Sequence, residues 1–215
     1  ITPNTAAFLV EPIQGEGGIV VPPPEYLKKC AEICREQNVL FICDEIQTGL
    51  GRTGKFLAIE HAGVKPDAVV LGKALGGVLL PVSLFLARKD IMDVFTPGDH
   101  GSTYSGTAIA TAVVSAVIAE MRRIDAPRLA SEKGRRLRKS LQALPGVASV
   151  RGQGLLLAAE LADGRDAKAV YTELLRLGVV TNAVTATALR LAPPLTVSDD
   201  EIDEAVTVIG EVLAR

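Results

Sequence analysis

The first half of the chain alternates short apolar runs with helical patterns. Four runs indicate strands, at 6–10, 39–43, Ala68–Leu71 and 82–87. Between the first two runs, a proline-rich segment leads into a stretch in which apolar residues follow helical spacing. Strands that are apolar on both faces and separated by helices indicate a buried, largely parallel sheet. The pattern therefore predicts an α/β fold.

The pattern changes from about Pro145. It predicts one helix at 166–177 and four strands, at 147–150, 155–161, 179–181 and 189–191. Ser198 and Glu201 have the spacing of a capping box and predict a last helix that ends near Leu213. This mixture is typical of a small α+β domain. We therefore predict a boundary between residues 1–144 and residues 145–215.

Composition and charge exclude several classes of function. The chain has 215 residues, 48% of them hydrophobic and 22% charged, with a net charge of −2. This balance is ordinary for a soluble globular protein and gives no overall field that attracts nucleic acid or anionic lipid. The basic run from Lys133 to Lys139 indicates a solvated helix face rather than a phosphate site. The apolar stretch 108–121 is too short to span a membrane and predicts a core helix.

Two further signals concern the compartment and the chain start. Cys30 and Cys34 lie one helical turn apart and Cys43 lies in a predicted strand, with no histidine nearby. Three such thiols make a poor zinc site and a poor disulfide framework, so we expect reduced cysteines, no metal and a cytoplasmic protein. The chain begins at Ile1, almost directly before a strand. We therefore expect an upstream portion that is missing or supplied separately.

A glycine-rich segment after the second strand matches two nucleotide-binding patterns in part. Gly49, Gly51 and Gly54 have the G-x-G-x-x-G spacing, and Lys55 extends the match towards a phosphate loop. The phosphate loop needs Ser or Thr after its lysine, where this chain has Phe56. The dinucleotide loop should follow its strand directly, whereas the predicted strand ends several residues too early. Both nucleotide interpretations are disfavoured.

The ends of two predicted strands carry the most informative pair of residues. Asp44 terminates the second strand and Lys73 lies just past the third. Ligands of α/β sheets bind at the carboxyl ends of strands. The pair could be a simple ion pair, but a pyridine cofactor needs the same two groups: an amine that bonds to its aldehyde and a carboxylate that keeps the ring nitrogen protonated. Spacing alone leaves both interpretations open.

Five segments resemble signatures of the class III, or omega, aminotransferases of pyridoxal 5'-phosphate (PLP) fold type I. They occur in the family's order, and the ornithine and acetylornithine aminotransferases are the most similar group. The segments are VEPIQGEGG at 10–18, DEIQTGLGRTGK at 44–55, LGKALGG at 71–77, HGSTY at 100–104 and LRLAPPL at 189–195. The resemblance implies that residues 1–144 are the second half of a PLP-binding large domain, with a mostly parallel sheet and flanking helices. Residues 145–215 would be the C-terminal small domain.

The resemblance also implies roles for individual residues. Lys73 would carry PLP and then act as the general base, and Asp44 would pair with the ring nitrogen. Gln47 would contact the phenolic oxygen of the ring. Arg190 would bind the α-carboxylate of the oxo acid or amino acid, because a planar guanidinium suits a carboxylate. Glu16 would pair with this arginine when a diamine-type substrate is bound.

A further pair of residues concerns assembly. Thr103, with its neighbour Ser102, would reach the cofactor phosphate or the substrate of the adjacent subunit. The family usually continues Gly-Gly-Asn-Pro after the following tyrosine, whereas Ser105 to Ala108 differ here. The family's upstream phosphate-binding turn, stacked aromatic residue and arginine are absent from this sequence. The implied partners are amino acid and 2-oxo acid substrates and a homodimer, an N-terminal half, or both, with no nucleic acid or membrane.

Three functions follow as hypotheses. The first is transfer of the terminal amino group of ornithine to 2-oxoglutarate, by the chain alone or complemented by an N-terminal half. The alternative is an acetylornithine aminotransferase of arginine biosynthesis, since the tail from Val180 to Glu204 is at least as similar to those enzymes. A hypothesis of another class is a non-catalytic fragment that acts only through assembly.

Overall fold

A computed structural model describes residues 1–215. The first sheet has the strand order β1-β2-β3-β4. Its strands are β1 (Ala7–Val10), β2 (Leu40–Asp44), β3 (Ala68–Leu71) and β4 (Leu84–Ala87). The pairs β1–β2 and β2–β3 are parallel, while β4 runs antiparallel along β3. The predicted α/β organisation and the four predicted strands are confirmed, and the sheet is parallel except at its β4 edge.

One face of the first sheet is covered by α1 (Tyr26–Glu36). Cys34 of α1 packs with Phe41 and Cys43 of β2 in one apolar cluster. Because Cys43 is fully buried, loss of solvation raises the pKa of its thiol to about 12. This packing holds β2 and its last residue, Asp44, against the body of the sheet.

The remaining helices of this half are α2 (Lys89–Met92) and α3 (Ala108–Arg123). α3 contacts the turn that follows β3, and only Met121 of its residues is buried. The predicted helix at 108–121 is confirmed, but only one of its faces packs on a core, through Met121 and the partly buried Val114, Val117 and Ile118, whereas Ile109 is 69% exposed. An apolar pattern does not reveal which neighbour covers a helix. No helix combines the length and apolar character that crossing a membrane requires.

The second sheet is antiparallel, with the order β5-β6-β8-β7. Its strands are β5 (Val147–Gln153), β6 (Leu156–Leu161), β7 (Asn182–Ala183) and β8 (Ala188–Leu191), and its helices are α4 (Ala126–Gln142), α5 (Ala167–Arg176) and α6 (Asp199–Leu213). One cluster of 18 buried residues joins the sheet to the three helices. The predicted capping box is confirmed, because Ser198 Oγ accepts the N–H of Glu201 while the Glu201 carboxylate accepts the N–H of Ser198.

α4 packs on the second sheet, with Leu137 and Leu141 in its core. Of its basic residues, Arg135, Arg136 and Lys139 are exposed, and Arg136 pairs with Asp203 of α6 at 2.5 Å. Arg138 instead turns to the sheet and donates to the carbonyl oxygens of Val150, at 2.5 Å, and Gly152, at 2.6 Å. The interpretation of the basic run as a solvated helix face is therefore confirmed except at Arg138. The domain boundary between residues 144 and 145 stays a prediction.

The strand predicted at 179–181 is wrong. Pairing begins only at β7, where Asn182 lies opposite Arg190 of β8. Val180 is 80% exposed, so the valines that suggested a strand have no partner strand. β-propensity reflects fit to a pleated, half-buried surface, and the ladder with β8 sets where this strand starts.

The glycine-rich segment follows β2 of the first sheet and contacts the β5–β6 turn of the second sheet. It forms consecutive turns followed by a 3₁₀ turn at Ala58–Ala62, not a long helix. Gly54 approaches Ser131 of α4, and the N–H of Leu155 donates to the carbonyl oxygen of Arg52 at 3.0 Å. The segment is therefore a contact between the sheets and lacks the strand–loop–helix geometry of a nucleotide site.

Candidate active site

A cavity of about 410 Å³ opens between the two sheets. Glu16, Gln47 and Lys73 line it from the first sheet's loops, and Arg190 lines it from β8 of the second sheet. These are four of the seven predicted site residues. The cavity lies beyond the carboxyl ends of the parallel strands, where ligands of α/β sheets bind.

Lys73 is positioned by the tight turn that follows β3. Its φ of +46° lies in the left-handed region that side chains rarely adopt, and it opens the 3₁₀ turn Lys73–Gly76. Leu75 is fully buried and anchors this turn. Left-handed backbone costs a non-glycine residue on the order of 1 kcal/mol and clusters at functional sites. No ion pair forms between Lys73 and Asp44, so the simple ion-pair interpretation is wrong and the amine stays available to the cavity.

Asp44 ends β2 beside the cavity without lining it. Its Oδ1 accepts the N–H of Ile46 at 2.9 Å, and no hydrogen bond engages Oδ2. Gln47 lies one turn further along and packs closely against Gly15. A Cβ added to Gly15 would lie 1.9 Å from Oε1 of Gln47. Its Nε2 donates to Glu16 at 3.0 Å, whereas its buried Oε1 has no partner. The two side chains therefore each keep one uncommitted polar atom.

Glu16 and Arg190 form an ion pair across the two sheets, with Nη1 and Oε1 2.5 Å apart. The Arg190 side chain is only 17% exposed, so it faces the cavity rather than open solvent. The hydrogen bond from Arg190, followed by that from Gln47, holds the pKa of Glu16 below its usual value of 4.5. The carboxylate therefore stays ionised and masks the guanidinium.

Ser102 and Thr103 are not brought to this cavity. Both lie in an exposed loop, where Ser102 Oγ accepts the N–H of Tyr104 at 3.2 Å. The helix that follows is capped by Thr107, whose side chain accepts the N–H of Ala110 at 3.3 Å. Their contact with an adjacent subunit stays a prediction.

Sequence reasoning missed Arg52 as a cavity residue. Its side chain lines the cavity and donates from Nη1 to the carbonyl oxygens of Leu155, at 3.3 Å, and Pro193, at 2.5 Å. Burial lowers the pKa of the Arg52 guanidinium. Two signals surrounded it: the glycine pattern, which suits nucleotides, and the aminotransferase-like segment at 44–55, from which no role for Arg52 was inferred.

The uncommitted atoms fit PLP. Buried polar atoms nearly always have a partner, so the orphaned Oε1 of Gln47 indicates a ligand position. A half-turn of this amide would present an N–H there to a phenolic oxygen, in exchange for the hydrogen bond that Nε2 donates to Glu16. The free Oδ2 of Asp44 could accept from a protonated ring nitrogen, and the Lys73 amine would hold the aldehyde carbon.

Comparisons with known proteins agree with this chemistry. An ornithine aminotransferase from Exiguobacterium sp. is 45% identical over 100% of this chain and 54% of its own length. The crystal structure of the ornithine aminotransferase from Toxoplasma gondii superposes with a TM-score of 0.92 at 41% identity, over 99% of this chain and 52% of that one. The crystal structure of an acetylornithine aminotransferase from Elizabethkingia anophelis superposes with a TM-score of 0.89 at 40% identity, over 97% of this chain and 56% of that one.

The chain thus spans about half the length of the relatives that it matches. The agreement in fold confirms the predicted PLP fold type I. The family model described as Aminotransferase class-III matches residues 1–213. The chain therefore belongs to the class-III aminotransferases, a family of PLP-dependent enzymes.

Proposed function

We propose that this chain supplies the lysine-bearing half of an aminotransferase that moves the terminal amino group of ornithine to 2-oxoglutarate. The observation that carries the proposal is the convergence of Lys73, Gln47, Glu16 and Arg190 on one cavity from two separate sheets. The residues 1–144 would be the second half of the cofactor-binding domain and residues 145–215 the small domain. The two separate sheets support this division.

Each residue has a defined task in this proposal. PLP, when bound, acts as an electron sink that stabilises negative charge on the substrate carbon. Asp44 Oδ2 keeps the ring nitrogen protonated, and Gln47 orients the ring through its phenolic oxygen. Lys73 Nζ would hold the cofactor and, as general base, would remove and return the proton at the reacting carbon of the substrate.

The Glu16–Arg190 pair suits two substrates of different charge. While the pair is closed, the guanidinium is masked, and the cavity accepts the amine-bearing chain of ornithine. When the pair opens, Arg190 can bind a carboxylate of 2-oxoglutarate in bidentate fashion. The two groups are 174 residues apart in the chain, so the fold alone brings them together.

An absorbance titration of the chain with PLP tests the cofactor site, followed by borohydride reduction and peptide mapping. We expect one adduct on Lys73, none in Lys73→Ala, and an unchanged adduct in the control Lys55→Ala, whose lysine does not line the cavity. Adducts scattered over other lysines would contradict the site. No adduct in the isolated chain, but one after addition of the upstream half of a relative, would support action only through assembly.

Amino donors then test the substrate. With 2-oxoglutarate as acceptor, we expect turnover of ornithine to exceed that of N-acetylornithine. The reverse order would replace the proposal by the acetylornithine alternative. Thr103→Ala tests the expected contact with a second subunit, because it should weaken PLP retention only in the assembled protein. Sedimentation of the assembly measures whether a homodimer forms.

A further inference from the structure

Arg52 lies in an unusual setting for a partly buried cation. No carboxylate pairs with its guanidinium. Instead, Nη1 donates to two backbone carbonyl oxygens, those of Leu155 and Pro193. A desolvated charge without a counter-ion is costly, so it persists where the surrounding structure uses it.

The two acceptors adjoin the opposite wall of the active-site cavity, which their neighbours Leu156 and Ala192 line. Leu155 lies in the turn between β5 and β6, and Pro193 follows β8 three residues after Arg190. Arg52 itself lies in the segment after β2, on the wall that carries Lys73. Its single guanidinium therefore joins the wall that holds the amine to the wall that holds the carboxylate-binding residue.

The backbones around this contact are packed too closely to slide. The carbonyl oxygen of Arg52 accepts the N–H of Leu155 at 3.0 Å. Gly154 has a φ of +53°, and a Cβ there would lie 2.6 Å from the same oxygen. Only glycine allows this approach, so the glycine-rich segment and the β5–β6 turn form one fixed joint.

We propose that Arg52 is a positioning residue that sets the separation between Lys73 and Arg190 and thereby selects substrates by length. This rests on the proposed function, in which one residue acts at the reacting amine and the other at the carboxylate. Loss of the guanidinium leaves both carbonyl oxygens without their donor inside the joint. The two walls then separate more freely, and the distance that the substrate must span is no longer fixed.

Hydrogen exchange of the 215-residue chain tests the joint without any cofactor. Loss of a hydrogen bond from a charged group changes the equilibrium constant for local opening by about tenfold or more. In Arg52→Met we expect about tenfold faster exchange in peptides covering 152–157 and 189–195, with α1 unchanged. Arg52→Lys, which keeps one cationic donor, should restore part of the protection. Arg35→Met is the matched control, since Arg35 is exposed and has no ion pair.

Substrate length is the second readout, measured in the assembly that turns over. The amino acceptors to compare are oxaloacetate, 2-oxoglutarate and 2-oxoadipate, which differ in chain length. Arg52→Met should raise KM for 2-oxoglutarate about tenfold while kcat changes less. The variant should also discriminate less among the three acceptors. Unchanged exchange, or an unchanged length preference with faster exchange, overturns the proposal. Failure of Lys73 labelling with faster exchange in Arg52→Met would instead refute the proposed function and leave the joint in place.

Discussion

Gly134, in the middle of α4, is predicted to be intolerant of alanine even though alanine is the better helix former. A Cβ added at Gly134 would lie 2.1 Å from the carbonyl oxygen of Gly154 and 2.4 Å from its carbonyl carbon. Real Cβ atoms essentially never approach closer than 3.0 Å, so the helix and the turn must separate by about 0.9 Å. The turn cannot retreat, because Gly154 is itself packed against the backbone of Arg52.

The magnitude follows from two opposing terms. Replacing glycine by alanine inside a helix gains about 1 kcal/mol of helix propensity. Overpacking a filled interior typically costs about 1–3 kcal/mol, and the upper end applies because the opposing atoms are backbone. We therefore expect Gly134→Ala to lower the free energy of unfolding by about 1–2 kcal/mol. For a chain of this size, the melting temperature should fall by about 2–8 °C.

Urea unfolding followed by circular dichroism measures this difference. Gly210→Ala in α6 is the matched control, because its Cβ would meet only the flexible end of Leu144, at 3.1 Å. We expect the control to be neutral or up to about 1 kcal/mol more stable. If Gly134→Ala unfolds at the same urea concentration as the parent or higher, the close packing of α4 on the β5–β6 turn is refuted.

Three other predictions concern single groups. At pH 8, iodoacetamide should modify the half-buried Cys30 well before Cys43, because a pKa of about 12 keeps the buried Cys43 thiol protonated. Equal modification rates of the two thiols, measured by mass spectrometry, would contradict this. Ser198→Ala removes the capping box and should lower the free energy of unfolding by about 1 kcal/mol. An unchanged free energy of unfolding would contradict a stabilising role for this cap. By carboxyl NMR, the pKa of Glu16 should lie below 4.5 and should rise towards 4.5 in Arg190→Met. Because the pKa of Glu16 is lower in the folded than in the unfolded chain, the ion pair stabilises the fold fully above pH 4.5. This stabilisation is lost as the pH falls through the folded-state pKa.

The elements that the sequence predicts well are those whose signal is local. β2 and β3 have no exposed residue on either face, so a plain run of apolar residues locates them. β1 is located by the same kind of run, although its Leu9 is 58% exposed in this chain. The last helix is located by a cap, which needs only Ser198 and Glu201 at the right spacing. Asp44 and Lys73 were recognised in the same way, as the residues at which two strands end.

What the sequence does not predict depends on distant partners. The start of β7 is decided by its ladder with β8, not by the valines that precede it. The exposure of α3 depends on which surfaces pack against it. Arg52 was hidden within a glycine pattern whose spacing suits nucleotides, and its acceptor Pro193 lies 141 residues away. Such a contact has no period and no local motif, so only the folded chain reveals it.

The charges of the cavity indicate what it can bind. Three cationic side chains, those of Lys73, Arg52 and Arg190, line it with the single carboxylate of Glu16. The only carboxylate is already committed to Arg190, so the uncompensated charge is positive. A ligand set that balances it has to bring several negative charges, as a phosphate and a dicarboxylate do together. Under the proposed function, a substrate with a cationic end is accommodated only while Glu16 masks Arg190, so the pair would close for ornithine and open for 2-oxoglutarate.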